Sequence, residues 1–313
     1  MALGICCHWL EERTLPRSGR VEMYNAMDER TLQLGRYRSG KYSNDVISGT
    51  YEHNVEALIK MLPKIAASGI KLFRISSAMF PLADQVDRSL WQGNENLSRL
   101  LARAGQIIKD AGMRVSTHPG QFCVLSSDSP NVVDKAVTEL KIHGWMFDAM
   151  GLDRSPRYAI NIHGGKSDRG DVMARRIDRL DDDVRLRLTL ENDETAYSVI
   201  DLLQIHKQTG TPIVFDTHHH TFNDGSLSME EAMFATMETW PDGILPLQHI
   251  SNTSPLMMEG SFPERRKHSD MIHYVPDVQL KFLRDRKIDV EVEAKHKNLA
   301  VFDMSKKFDI PLV

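Results

Sequence analysis

Thirteen histidines fall along these 313 residues, and several close a short apolar run, where a side chain is aimed rather than merely solvated. His118, His163 and His249 hold such positions, and so do Glu191, Asp216 and Glu293. Imidazole nitrogens and carboxylate oxygens are the donors that hard and borderline divalent cations take. From the run of three histidines after Asp216 we choose His219, three residues on across a tight turn, with His218 and then His220 as the other candidates. His268, in the loop RRKHSD, is either a further ligand or one more residue of a basic patch. His8, His53, His143, His206, His273 and His296 have no such placement and are read as structural or surface residues.

A set of this kind holds two or three ions, with a carboxylate such as Glu191 bridging them. Ions about 3.5–4 Å apart suit in-line displacement at phosphorus, because one activates water while another stabilises the leaving oxygen. The competing chemistry is sugar isomerisation, in which two ions polarise adjacent oxygens of an open-chain sugar. The loops favour phosphodiester hydrolysis, since Arg36, Arg38, Lys41, Lys166, Arg169, Arg265, Arg266 and Lys267 offer the cations that several phosphates require. In HPGQF, Pro119 and Gly120 shape a turn beyond His118 that projects Gln121 and Phe122. An aromatic beside an amide at a loop tip can replace a disrupted base stack, although Phe122 packed under its own loop is the equal alternative.

Such distant donors meet only if the elements carrying them end on one side. Strand-like runs occupy 2–8, 71–77, 114–119, 158–164, 187–193, 212–219, 244–251 and 287–294. Amphipathic stretches at 50–67, 94–111, 131–150, 198–209, 228–239 and 275–286 lie between them, several ending at a glycine that can cap a helix. A weaker helix is expected over 171–182, and a short last one after Ala294. Eight β/α units with no break in composition predict a single (β/α)8 TIM barrel spanning 1–313, with a doubly wound sheet as the alternative. In a closed barrel the C-terminal strand ends share one rim, which would gather the proposed donors. The insertions at 9–49 and 252–274 are read as long loops on that same face.

Composition sets the outer bounds. Hydrophobic residues at 41% and charged ones at 26% describe an ordinary globular chain, and no apolar stretch is long enough to span a membrane. MALGICCHWLEER lacks a basic leader and a long apolar run, so we expect no signal peptide and a cytoplasmic, nucleoid-associated or nuclear protein. Cys6, Cys7 and Cys123 have neither disulfide-framework nor zinc-finger spacing. A net charge of −4 gives no global field for polyanions, so affinity for nucleic acid must come from local patches or bound metal.

Taken together and in order, HPGQF, IHGG, LENDE, FDTHHH, RRKHSD and VEVEAK resemble the UV-damage endonuclease family over most of residues 1–300. The resemblance implies a TIM barrel of the AP-endonuclease and xylose-isomerase-like kind with a three-metal site, usually manganese, whereas the mixed imidazole and carboxylate donors by themselves suggest zinc or manganese. It implies cleavage of the backbone immediately 5′ to cyclobutane dimers, 6-4 photoproducts and some other lesions in duplex DNA. Carried over by motif, the ligands are His118, His163, Glu191, Asp216, His219, His249, His268 and Glu293, of which Glu191, His118 and His249 are taken as catalytic. Gln121 and Phe122 stand where the family has a probing Gln and Tyr, and Lys166, Arg265, Arg266 and Lys267 are assigned to phosphates. Leu247 occupies the place of a modifiable lysine, and Ile5 that of a strand-one tyrosine. We expect a monomeric DNA-repair endonuclease, with an abasic-site nuclease, a sugar-phosphate isomerase and a catalytically silent DNA-binding barrel as alternatives.

Overall fold

The computed structural model describes residues 2–15, 20–120 and 122–312. Ten strands run in chain order among the described residues: β1 (Leu3–Cys6), β2 (Leu10–Thr14), β3 (Val21–Asn25), β4 (Leu72–Ile75), β5 (Arg114–Thr117), β6 (Ile160–Ile162), β7 (Leu188–Glu191), β8 (Ile213–Asp216), β9 (Leu247–Ile250) and β10 (Asp289–Val292). β2 and β3 form a separate antiparallel pair, and the other eight close a parallel barrel in the order β1-β10-β9-β8-β7-β6-β5-β4. The doubly wound alternative is thereby excluded. No helix among the described residues is long and apolar enough to cross a membrane.

Each barrel strand is buried on both faces, and its two sets of alternating side chains have different destinations. Phe73, Ile75, Val115, Ile160, Ile162, Leu188, Leu190, Val290 and Val292 join the main core, together with Leu58, Leu62, Leu101 and Phe147 of the surrounding helices. The opposite set fills the barrel. Ala2, Leu72, Ala159, Val214 and Leu247 pack with Trp240 into an apolar floor, and one layer higher the inward positions turn polar, with Arg74, Ser116, Asn161, Thr189, His249 and Glu291 all buried. Gly4 shows how tightly the floor is filled, since a Cβ there would stand 2.4 Å from Leu72 Cγ. An apolar floor beneath a polar layer sends the chemistry to the C-terminal mouth.

Several expected boundaries shift. The strands are shorter than the apolar runs, so His118, His163 and Glu293 lie just past the ladder, where Pro119 and Gly164 have already turned the chain away. Residues 9–49 are not an irregular loop. They contain β2 and β3, a short helix at Leu34–Arg38, and the start of the helix Asn44–Ala67, six residues before the expected 50, because the Ser43 hydroxyl caps it by accepting from Val46 N. β2 and β3 escape a periodicity reading because the pair is largely exposed, with Glu and Arg interleaved along it and Arg13 paired to Glu22 across it. The weak helix at 171–182 resolves into Gly170–Ile177 and Asp182–Arg185. The loop at 252–274 carries two single turns, Pro255–Met257 and Phe262–Arg265, and the last helix is Lys297–Lys307.

One helix contact is close enough to test alone. Gly105, inside the helix Glu95–Asp110, faces the end of the helix Pro130–Ala149, and a Cβ on it would stand 1.8 Å from the Met150 carbonyl oxygen. Gly105→Ala is expected to lower stability by about 1–3 kcal/mol, as overpacking does. A reduced urea midpoint with unchanged metal content would show it, and an unchanged midpoint would mean that the two helices part without cost.

Candidate metal centre at the barrel mouth

Glu191, at the end of β7 and 1% exposed, is the point on which the mouth converges. His118 Nε2 approaches its Oε2 at 2.9 Å, and His163 Nε2 stands 4.0 Å from the same oxygen. On the other side His249 Nδ1 lies 3.0 Å and His219 Nδ1 3.4 Å from Oε1. Ligand atoms of His118, His163 and Glu191 all fall within 4.8 Å of one another, and so do those of Glu191, Asp216 and His249, so the two groups share Glu191. Glu293 extends the array, 3.6 Å from His249 Nδ1 and 3.7 Å from His268 Nε2.

The donors are aimed by partners behind them. Asn161 Nδ2 donates to Glu191 Oε2, and Thr189 Oγ1 donates to Asn161 Oδ1 at 2.9 Å, which fixes the amide's orientation. Asp216 caps the turn Thr217–His220, its Oδ1 accepting from the His218 and His219 amides at 2.7 Å each. That cap sorts the three histidines. His219 is turned toward Glu191, with Nδ1 also 2.9 Å from the Asn192 carbonyl. His218 Nε2 points to the Arg266 carbonyl at 3.3 Å, and His220 Nε2 to that of Leu227 at 3.1 Å. Asn192 ties β7 to β8, accepting from Asp216 N at 2.9 Å and donating to the Asp216 carbonyl at 3.0 Å.

Three observations fit this pocket to divalent ions. His118 Nδ1 lies 3.1 Å from the Pro119 carbonyl, which orients the ring. With the ring so oriented, Nε2 faces Glu191 Oε2 at 2.9 Å, a gap that either a proton or a cation held between the two can bridge. Asp216 Oδ2 and His163 Nδ1 are buried with no hydrogen-bond partner among the described residues. Finally, the donor set mixes imidazole with carboxylate, as borderline divalent ions prefer.

Charge balance in the throat rests on a residue that strand-end reasoning missed. Arg74, inward on β4, donates to Glu291 Oε2 at 2.6 Å, pairs with Glu293 and reaches His249 Nε2 at 2.9 Å. Glu291 was missed with it. It also accepts from the Ser116 hydroxyl and lies 3.1 Å from His249 Nε2. The available signals were a charged residue inside the run KLFRISS and the period-two acids of DVEVE. Burial alone would raise the Glu191 carboxyl, but His249, His163, His118 and His219 hold it well below the usual range. Burial would lower His249, yet Glu191 and Glu293 outweigh it and Arg74 together and carry it to about 10. Arg74 and His249 hold Glu291 down to about 2 against its own burial. His163 is pushed down by burial, and His219 is pushed up by Asp216 and Glu191 despite burial.

The remaining candidates occupy the walls. The segment after His118 divides two cavities: Pro119, Gly120 and Cys123 line the metal pocket of about 420 Å³, while Phe122 and Val124 line a groove of about 510 Å³. Glu139 pins that segment by accepting from Gly120 N at 2.8 Å. Phe122 is 78% exposed and so does not pack under its loop; Gln121 lies outside the described residues. Lys166 pairs with Asp128, which it shares with Arg169. Arg265 and Arg266 stack over Phe222 and Phe262, with Lys267 exposed beside them, and Arg266 and His268 close the far side of the metal pocket. Leu247 lies in the apolar floor, one inward position below His249, and Ile5 faces the helices from inside the main core.

Residues 18–311 match the model of the UV-endonuclease UvdE family. A UV DNA damage endonuclease of Nostoc sp. is 38% identical over 256 residues, spanning 80% of this chain and 76% of its own. That of Deinococcus radiodurans is 36% identical over 287 residues, 89% of this chain and 91% of its own. The crystal structure of SacUVDE superposes with a TM-score of 0.79 at 26% identity, over 99% of this chain and all of that one. A D-psicose 3-epimerase of Clostridium cellulolyticum H10 reaches a TM-score of 0.53 at 9% identity, covering 93% and 84%, and shares the fold alone.

The throat makes a pH prediction for protein stripped of divalent ions. Glu291 lies below its ordinary 4.5, so its contribution is full above that pH and is lost as pH falls toward about 2. His249 lies above its ordinary 6.5, so its contribution is full below that pH and is lost as pH rises toward about 10. The melting temperature of chelated protein is therefore expected to peak between pH 4.5 and 6.5 and to fall on both sides. A melting temperature that kept rising to pH 9 would contradict this.

Proposed function

This chain belongs to the UV-endonuclease UvdE family and acts in DNA repair on UV damage, and from that premise we propose that it nicks duplex DNA immediately 5′ to cyclobutane dimers and 6-4 photoproducts, using divalent ions held at the barrel mouth. The reading is carried by one observation, the approach of His118, His163, His219 and His249 to the single buried carboxylate of Glu191.

His118, His163, Glu191, Asp216, His219, His249, His268 and Glu293 would hold the ions, three in number and manganese before zinc, with Glu191 shared between two of them. Divalent cations in such a cluster supply activated water for in-line attack at phosphorus and charge to stabilise the leaving oxygen. The protein's own contribution is orientation and exclusion. Asn161 and Thr189 hold the Glu191 carboxylate, Asn192 holds His219, and the Asp216 cap presents one imidazole of three. The floor around Leu72, Val214 and Leu247 closes the barrel from below. Lys166 would exchange Asp128 for a phosphate, and Arg265, Arg266 and Lys267 would take others along the far wall. Phe122 fills the gap left when the damaged bases leave the stack, with Gln121 beside it in the sequence. With all the proposed donors on one chain, the site would need no second copy, and we take the protein as a monomer working wherever the cell's DNA lies.

Nicking of UV-irradiated against untreated plasmid, with metal analysis of the same protein, tests the proposal. Equal nicking of both would remove damage specificity, and nicking of abasic DNA alone would reassign the substrate. Glu191→Gln is expected to lose bound metal and cut nicking by more than the roughly 10–100-fold that removing an outer partner costs, with an unchanged circular dichroism spectrum. Phe122→Ala is expected to lower the ratio of damaged to undamaged nicking while metal content stays constant. An unaltered ratio would exclude the wedge role.

A further inference from the structure

The loop between residues 252 and 274 displays apolar side chains where a surface would ordinarily be polar. Leu256, Met257, Met258, Phe262 and Tyr274 are all exposed, and Leu256 leaves 90% of its surface in solvent, more than any other large apolar side chain among the described residues. The display is held firmly. Leu256 sits in the single turn Pro255–Met257, Asn252 clamps the loop base by accepting from His273 N at 2.7 Å and Tyr274 N at 3.1 Å, and Thr253 bridges to His268.

The loop's position says what meets it. It also supplies Arg266 and His268 to the metal pocket, on the wall opposite Pro119 and Gly120, whose segment carries Phe122. The pocket therefore lies between two loops, each with an exposed apolar tip. The charges favour a polyanion. Of the loop's carboxylates, Asp270 pairs with Lys295, and Glu264 is turned back onto Ser261 N at 2.9 Å with Lys267 near it, which leaves Glu259 alone against Arg265 and Arg266 and a net positive charge on the tip. Apolar tips among cations are the combination with which proteins pry open and kink a base step.

We propose that Leu256, backed by Met257 and Met258, is a second wedge that enters the duplex across the metal mouth from Phe122, unstacking a base step outside the lesion. With Phe122 on one side and Leu256 on the other, the intervening strand is bent toward the ions. The inference rests on the reading that this mouth faces damaged DNA.

The test uses a cleavage-resistant duplex carrying one thymine dimer, with 2-aminopurine placed in turn at the steps flanking it. Wild-type protein is expected to raise 2-aminopurine fluorescence at a step beyond the lesion. Leu256→Ser, which alters only an exposed side chain, is expected to abolish that rise and weaken binding to the dimer duplex by about tenfold. Its affinity for undamaged duplex and the salt dependence of binding should not change, because no charge is removed. A variant matching wild type in fluorescence and affinity overturns the wedge, and so does equal weakening on damaged and undamaged duplex. If DNA binding is untouched while wild-type self-association disappears in the variant, the loop is a protein-binding face and the proposal is wrong. Wild-type protein that fails to discriminate the dimer duplex brings down the underlying reading too, whereas discrimination by wild type and variant alike removes the wedge alone.

Discussion

Carboxylates cannot be crowded into a protein interior unless cations stand close beside them, and the throat of this barrel is built around that constraint. Glu191, Asp216, Glu291 and Glu293 are all buried within it. Arg74 reaches Glu291, Glu293 and His249 from one strand, while Glu191 and Asp216 draw charge onto His249 and His219. Neutral hydrogen-bonding groups do the rest: Ser116, Asn161, Thr189 and Asn192 hold the carboxylates and imidazoles in place. His249 and His219, which their carboxylate neighbours hold toward the protonated form, stand where divalent ions would be held, so at these two positions an ion would take the place of a proton.

Much of this was readable before any coordinates, for definite reasons. A strand buried on both faces yields a short apolar run, and a barrel gathers the ends of such runs on one rim, so His118, His163, Glu191, Asp216, His249 and Glu293 could be placed at a common mouth from their positions alone. The family resemblance extended the set to His268. What escaped was whatever depends on contact across the barrel. Arg74 sits one inward position below the rim and gives no terminal signal, and Asn161 and Thr189 look like ordinary strand polars until they are seen behind Glu191. Among the histidines after Asp216, spacing favoured the third residue on, and the aspartate cap that orients it became visible only in three dimensions. β2 and β3 escaped because they are short and largely exposed, and the adjacent charges of LEERT carry no strand period.

The likeness to a sugar epimerase is instructive because it stops at the backbone. A parallel barrel ringed by helices leaves its upper loops free to differ without disturbing the core, so one scaffold serves unrelated chemistries. Here those loops include the segment with Phe122, which follows β5, and the excursion at 252–274, which follows β9 on the opposite side of the barrel.

β10 gives the barrel a way of checking its own closure. It is the strand that meets β1, and its side chains alternate between Asp289, Glu291 and Glu293 on one side and Val290 and Val292 on the other. Seated one residue out of step, it would drive three acids into the oily layer beneath the helices and aim valines at Arg74 and at Arg114, the buried arginine of β5 that pairs with Asp289 at 2.9 Å. Neither error is survivable, so the last seam can be sewn in one alignment only. Glu291 and Glu293, which equip the mouth, thus act together with Asp289 at the floor as the teeth of the zip, and a substitution that blunts either of the upper two loosens the architecture along with the chemistry.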